Sequence, residues 1–268
     1  MVVERTGLSL PAYVERGHGG DTLVFLHGLG GGHAVWEDQL PYFAARGYRA
    51  VAWDQPGYGA SPGVEPYDLR QVSTALQRLL EHLGGAPVVL VGHSMGGFIA
   101  QEAYARFPDR IRALALCFTS AAFGGTGGDF QRQFVAARVA PLDQGDTMAD
   151  ISSRLMPTMR GSRSQPGGLA RAERIMAGVP PDTYRKAVAL LTTFDRRALL
   201  QQIAVPTLVL AGGEDRTAPV SVMGRMAQRI PASEFVVLEG CGHLGQLDQP
   251  EQFNRALDGF LARHRSEV

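Results

Sequence analysis

Lysine is nearly missing from this chain. Lys186 is its one lysine among 268 residues, so the positive charge rests on arginine; this is a bias of composition and not a site. Cysteine is scarce as well. Cys117 and Cys241 stand alone, which excludes a disulfide framework and a cysteine-based zinc site and leads to the expectation of a reducing, cytoplasmic setting. No uninterrupted apolar run approaches the ~18 residues that a membrane helix needs, and Met1 to Gly7 has no apolar signal core. Neither sign of charge is in excess: 26 Lys+Arg offset 26 Asp+Glu. A balanced chain has no general electrostatic drive towards nucleic acid or an anionic membrane. The expected partner is a small-molecule substrate, with the chain a monomer or a homodimer and with no cofactor and no metal.

What is present is a globular composition, 45% hydrophobic and 19% charged, with 33 glycines. At ~150 residues per domain the length allows one to two domains. Strand and helix signals alternate along the first part. Strands are predicted at Leu8–Val14, Thr22–Leu26, Tyr48–Trp53, Pro87–Val91 and Ile111–Phe118. Helices are predicted at Trp36–Arg46, Leu69–Leu83 and Met95–Phe107. The dense Val/Leu runs have the character of strands buried on both faces. From about Asp129 to Arg197 no strand signal occurs, and helices are predicted around Phe130–Val139, Leu169–Ala177 and Pro181–Leu191. Alternation then resumes with strands at Val205–Ala211 and Glu234–Leu238 and helices at Val220–Arg229 and Pro250–Arg263. Such alternation implies an α/β fold with a doubly wound, mostly parallel sheet, interrupted by one helical insertion.

Two pentapeptides fit G-x-S-x-G. Gly59-Ala60-Ser61-Pro62-Gly63 has no helix after it, and Pro62 lacks the N–H that the residue after a nucleophile donates to an oxyanion. Ser61 is therefore read as a turn serine. Gly92-His93-Ser94-Met95-Gly96 lies between a buried strand and a helix, the setting such a nucleophile needs. Gly92 and Gly96 leave room for strand and helix to pack closely, and the helix start supplies free N–H groups and a positive dipole end.

A serine hydroxyl needs a base, and the base needs an acid to orient it. His243 and His264 both follow the nucleophile helix; His264 sits in a charged tail, whereas His243 follows a strand, where open α/β sheets place their sites. Asp215 also follows a buried strand, with its neighbour Glu214 as main competitor and Asp129 and Asp195 as weaker ones. The order Ser94, Asp215, His243 is that of nucleophile, acid and base in one of the known arrangements. His27-Gly28-Leu29-Gly30-Gly31-Gly32 follows another strand. It fits neither a dinucleotide loop nor a P-loop, and the N–H groups of Leu29 and Met95 are the expected oxyanion donors.

Taken together, the His27–Gly30 loop, the run Asp54-Gln55-Pro56-Gly57-Tyr58-Gly59-Ala60-Ser61, the Ser94 elbow and the Asp215 and His243 loops resemble the α/β-hydrolase superfamily. The resemblance implies an eight-stranded sheet with a helical cap. It divides the chain into a core of residues 1–120 and 198–268 and a cap of residues 121–197 that roofs the substrate pocket. In that family the Asp54 turn is structural. The elbow and Asp195-Arg196-Arg197…Ile203-Ala204-Val205-Pro206-Thr207 look like small carboxylesterases and 3-oxoadipate enol-lactone hydrolases. Cys241-Gly242-His243 with Gln246 and Asp248 resembles the meta-cleavage-product C–C hydrolases. The chain departs from the latter with His93, where Asn is frequent, and Leu244, where Trp is typical. A serine at the elbow disfavours haloalkane dehalogenases and epoxide hydrolases, whose nucleophile is aspartate.

The first expectation is therefore a serine hydrolase of esters or lactones. The alternatives are a C–C bond hydrolase of vinylogous diketones and, in a different class, a ligand receptor that retains its triad. Phe118, Phe123, Phe130, Phe134, Met159 and Phe194 are the expected substrate-binding residues, with Met156 and Met176 as further apolar candidates. Arg132, Arg138 and Arg154 are candidates for a substrate carboxylate. Trp36 is read as structural, and both cysteines as packed free thiols.

Overall fold

The computed structural model describes residues 10–124 and 128–265. Its centre is a sheet of seven strands: β1 (Tyr13–Arg16), β2 (Thr22–Leu26), β3 (Arg49–Trp53), β4 (Val88–His93), β5 (Ile111–Cys117), β6 (Thr207–Gly212) and β7 (Ser233–Leu238). Their order is β1-β3-β2-β4-β5-β6-β7. Only β1 runs antiparallel, against β3; every other pair is parallel. Every residue of β4 and β6 is buried, which requires cover on both faces of the sheet. The main cover comes from α1 (Gln39–Ala44), α2 (Leu69–His82) and α3 (Met95–Arg106), with α1 packed against the last helix of the chain and α2 against α3.

Between β5 and β6 the chain forms α4 (Asp129–Asp143), α5 (Met148–Leu155), α6 (Pro166–Ala177) and α7 (Pro181–Leu191). A short antiparallel neck closes this insertion. Ala122 bridges Asp195, the Phe123 N–H donates to the Phe194 carbonyl at 2.9 Å, and the Arg196 N–H donates to the Ala121 carbonyl at 2.7 Å. After β6 come α8 (Val220–Ala227), the single turn α9 (Gly245–Asp248) and α10 (Pro250–Arg263).

The sheet differs from expectation in number. Seven strands are found among the described residues, not eight. The strand predicted at Leu8–Val14 falls partly outside the described residues, and β1 begins only at Tyr13, after Pro11, which has no N–H to give a ladder. The helix predicted over Trp36–Arg46 is split into a 3-10 turn, His33–Trp36, and α1. Helix α5 was not anticipated, although its capping box is written in the sequence. The Thr147 hydroxyl accepts from the Asp150 N–H at 3.2 Å, and the Asp150 carboxylate accepts from the Thr147 N–H at 2.8 Å.

Register decides what meets at the carboxyl edge. Leu26 lies beside Gly92, His93 beside Cys117, Cys117 beside Leu210, and Gly212 beside Leu238. The loops that follow these strand ends carry His27–Gly32, Ser94, Phe118, Asp215 and His243. The chain leaves β2 towards β3 but leaves β4 towards β5, so β2 and β4 flank a topological switch point, where open sheets form their binding crevice.

Among the described residues no helix is long and apolar enough to cross a membrane.

Candidate active site

Ser94 stands between β4 and α3 with a positive φ of 53°. A side chain rarely adopts that conformation, and the cost is offset by three fixed contacts. The Ser94 N–H donates to the Cys117 carbonyl at 2.9 Å, and its own carbonyl accepts from the Gly97 N–H at 2.9 Å and the Thr119 hydroxyl at 2.8 Å. The turn is possible because Gly92 and Gly96 have no side chain. A Cβ on Gly92 would lie 2.5 Å from the Gly96 carbonyl oxygen, and one on Gly96 would lie 2.1 Å from that of Leu26.

The structure brings Ser94, His243 and Asp215 into one hydrogen-bonded series. The Ser94 Oγ is 3.0 Å from His243 Nε2, and His243 Nδ1 is 2.7 Å from Asp215 Oδ2. Asp215 is buried, which by itself raises its carboxyl. The His243 imidazole and the N–H groups of Ala218 and Thr217, at 3.0 and 2.7 Å from Oδ1, outweigh burial and hold it below the ordinary carboxylate value. An ionised Asp215 accepts from Nδ1–H, which leaves Nε2 to accept the serine proton.

His243 is held by its main chain as well. Its N–H donates to the Met159 carbonyl at 2.8 Å, and its carbonyl accepts from His93 Nε2–H at 2.8 Å. His93 is buried, and desolvation followed by the proximity of His243 pushes it down to about 3, so it stays neutral and donates. Segment 159–165 of the insertion forms a strap over this loop. The Arg163 N–H donates to the Gly240 carbonyl at 2.9 Å, and the Ser164 hydroxyl donates to Asp248 Oδ2 at 2.7 Å. Gly242 lies so close that a Cβ there would be 2.1 Å from the Met159 oxygen. Glu214, the competitor for the acid, faces the strap instead: its carboxylate accepts from the Ser162 N–H at 2.8 Å and from the Ser162 hydroxyl at 2.5 Å. Asp129 and Asp195 are paired with Arg132 and Arg197, and His264 with Glu234 at 2.9 Å.

The Leu29 loop is fixed from beneath. His27 is buried and pushed down to about 4, mainly by desolvation. Its Nε2 accepts from the Gln55 N–H at 3.0 Å and its Nδ1–H donates to the Gly28 carbonyl at 2.9 Å. The Tyr58 hydroxyl donates to the Leu29 carbonyl at 2.7 Å, and the Gly28 carbonyl, which shares its peptide with the Leu29 N–H, also accepts from the Gly31 N–H at 3.1 Å. Met95 is the first residue of α3, so its N–H has no partner within the helix. Tyr58 escaped sequence reasoning, although it belongs to the Asp54–Ser61 run. Ser61 is the turn serine expected: it donates to the Asp54 carbonyl at 2.6 Å and accepts from the Ala12 N–H at 2.8 Å.

Two chambers adjoin Ser94 and His243. One is walled by Met156, Met176, Leu244 and Leu247 and includes Gln246. The other is lined by Phe98, Phe118, Phe123, Phe134 and Arg138. Leu29, Leu155 and Met159 line both. Of the predicted substrate-binding residues, Phe118, Phe123, Phe134 and Met159 are therefore in place. Phe130 and Phe194 are not. Phe130 is 56% exposed and rests on the outside of Phe123, with ring centroids 5.6 Å apart. Phe194 is buried behind the wall, stacked on Phe98 at 4.0 Å. Phe98, one helical turn beyond Ser94, was legible from helix spacing and was missed; Leu155 was missed with its helix. Of the three arginines, Arg132 and Arg154 pair with Asp129 and Asp146 at the surface, and only Arg138 lines a chamber. Trp36 is buried against Phe25, His93 and Phe253. Both cysteines are free and buried, with their thiols pushed up by desolvation. Among the described residues no group of three or more His, Cys, Asp or Glu could hold a metal ion.

Comparison with known proteins places this geometry among relatives. The family described as alpha/beta hydrolase fold matches residues 21–250. A 2-hydroxy-6-oxononadienedioate/2-hydroxy-6-oxononatrienedioate hydrolase of Paraburkholderia phymatum is 31% identical over 94% of this chain and 90% of its own length. The 3-oxoadipate enol-lactonase 2 of Acinetobacter baylyi is 29% identical over 90% of this chain and 88% of its own length. Among solved structures, a thermophilic esterase from Thermogutta terrifontis superposes with a TM-score of 0.85 at 28% identity, covering 95% of this chain and 94% of that one.

Proposed function

The chain belongs to the alpha/beta-hydrolase fold family, and from that membership we propose that it is a serine hydrolase that cleaves a carboxylic ester or lactone through an acyl-enzyme. The observation that carries this reading is the series Ser94 Oγ, His243 Nε2, His243 Nδ1 and Asp215 Oδ2, at 3.0 and 2.7 Å, at the junction of two chambers. Ser94 Oγ attacks the carbonyl carbon while His243 Nε2 takes its proton. The oxyanion forms against the N–H groups of Leu29 and Met95; each such donor is worth roughly 3 kcal/mol to the transition state. Collapse expels the alkoxide, which takes the proton from Nε2. Water then attacks the acyl carbon as Nε2 accepts its proton, and the proton returns to Ser94. Asp215 stays ionised throughout and offsets the imidazolium charge. The helical insertion acts as a cap that closes both chambers over the substrate.

Arg138 favours substrates that carry an anionic group on the arm entering the aromatic chamber. It has no acidic partner among the described residues, and its guanidinium lies 5.2 Å from the Phe134 ring centroid. The same feature supports C–C hydrolysis of an acidic vinylogous diketone as the second reading, alongside the 31% identical relative.

The test is intact-protein mass spectrometry after a fluorophosphonate, on wild type and Ser94→Ala. One adduct on wild type, absent from the variant, is expected. Ser94→Ala is also expected to lower kcat by ~10⁴–10⁶ on whichever ester, lactone or diketone is turned over. No adduct on folded wild type overturns the reading and moves the non-catalytic receptor ahead of it.

A further inference from the structure

Leu155, the last residue of α5, stands where three spaces meet. It lines the chamber walled by Met156 and Met176, and it lines the aromatic chamber. It also lines an outer cleft formed by Ala137, Arg138 and Pro141 of α4 and by Ile151 and Arg154 of α5. That cleft reaches solvent, since the Arg154 side chain is 57% exposed. Arg138 lines the cleft and the aromatic chamber together. Leu29 and Met159 line both chambers but not the cleft. Leu155 and Arg138 are thus the side chains that stand between interior and outside on this flank. Neither is tightly held. Both are half-buried, and α4, which carries Arg138, has no buried residue and packs chiefly against α7. Pro141 has no N–H to give the Ala137 carbonyl one turn earlier, so the hydrogen-bond ladder of α4 is broken at the cleft itself.

We propose that Leu155 is a specificity-determining residue, and that the substrate is an ester with an extended chain. The reactive end of the chain lies at Ser94, and its far end passes Leu155 into the cleft between α4 and α5. A leucine suits such a partition: it fills the gap with apolar surface, leaves no polar group unmet, and moves aside by changing rotamer. A short arm ends inside the chamber, where Leu155 closes the wall behind it. A longer arm displaces Leu155 and lays its methylenes along Ala137, Pro141 and Ile151. Arg138, at the same threshold, favours a carboxylate on the far end over a methyl group. The inference deepens the ester chemistry proposed above and rests on it for the bond that is cleaved.

The experiment reads arm length without the natural substrate. Fluorophosphonates with a short and with a long linear alkyl arm are reacted with the protein, and the rate of adduct formation on Ser94 is followed by intact-protein mass spectrometry. Leu155→Ala is expected to raise the ratio of long-arm to short-arm rates by about tenfold or more, the effect of burying about two further methylenes. Leu155→Phe is expected to lower the ratio, and Leu155→Met, of similar volume, to keep it. Circular dichroism shows that each variant is folded. One and the same ratio in wild type, Leu155→Ala and Leu155→Phe would overturn the proposal, as would no labelling of folded wild type by either reagent. A long arm ending in a carboxylate is expected to label severalfold faster than one ending in a methyl group, and Arg138→Gln to remove that advantage. No advantage, or one that survives the substitution, would overturn the role of Arg138. Turnover of nitrophenyl esters with matched acyl chains reads the chemistry separately. Length selection governed by Leu155 without turnover of any ester would keep the partition and remove the ester-hydrolase reading. Turnover with a length profile indifferent to Leu155 would remove the partition alone.

Discussion

The two halves of the helical insertion meet the sheet edge in opposite ways. The strap 159–165, between α5 and α6, is stitched to the loops bearing Asp215 and His243: it gives a carbonyl to the His243 N–H, two donors to Glu214 and a hydroxyl to Asp248. Helix α4 has no buried residue at all, contains Pro141, and has open clefts along both sides. One half is thus part of the frame that holds the His243 loop, and the other half covers the aromatic chamber from outside. The insertion and the loops bearing Asp215 and His243 are not separable on the strap side, while on the α4 side they are.

The largest effect should come from prying the strap away. Gly242→Ala puts a methyl group where the Met159 oxygen, the Arg160 carbonyl carbon and the Gly161 nitrogen now lie, at 2.1, 2.6 and 2.7 Å. Backbone cannot yield as a flexible side chain can, so the strap or the His243 loop must shift. A displacement of about 1 Å at a catalytic group costs on the order of 100-fold, and kcat is expected to fall by at least about that much. Gly178→Ala serves as control, since its nearest neighbour would be the Ile175 oxygen at an ordinary 3.5 Å. Unchanged turnover in Gly242→Ala would break the contrast.

The histidine part of the response to acid should lie on the sheet side, and Asp248, pushed up to about 6 chiefly by burial, should oppose it, because the folded chain takes up that proton first. Of the 7 histidines in the chain, none lies in residues 121–197. His27 and His93 are pushed down to about 4 and about 3, chiefly by burial. Below pH ~6.5 the unfolded chain takes up protons that these two refuse in the fold, so their contribution to stability is complete above ~6.5 and is lost as pH falls. The slope is about 1.4 kcal/mol per pH unit for each. Asp215, held below its ordinary value, contributes above pH ~4 and is lost only under more acidic conditions. Urea unfolding at pH 7 and pH 5 should therefore show a net loss of a few kcal/mol, and the loss should shrink by half or more in His93→Asn. A flat profile would mean that these histidines are not buried neutral.

Much of this arrangement was written in the sequence, for a physical reason. Strands β4 and β6 are buried on both faces, so they had to be near-continuous apolar runs, and the motifs that follow them fell at the correct strand ends. The order of Ser94, Asp215 and His243 was readable because each follows such a strand, and Ser61 could be rejected on Pro62 alone. The insertion was harder. Its helices bury narrow faces, so Phe130 and Phe194 had the same aromatic character as Phe123 and Phe134, although one lies outside the wall and one behind it. Glu214 and Asp215 are chemically alike and adjacent; only the distances separate a strap latch from the partner of His243.

The finest test compares the two halves by kinetic signature. Glu214→Gln keeps the shape of the side chain but loses the charge that grips Ser162, and so loosens the strap behind His243. An interaction that acts only through the placement of the base should lower kcat, by up to about tenfold, and leave KM nearly unchanged. Phe134→Ala removes an α4 ring from the aromatic chamber without touching the base. It takes away contact with substrate and transition state alike, so KM should rise severalfold and kcat should hold. Ser162→Ala should reproduce the kcat effect of Glu214→Gln from the other side of the latch. If Phe134→Ala lowered kcat as Glu214→Gln does, α4 would also be aiming the base, and the insertion would act as one body.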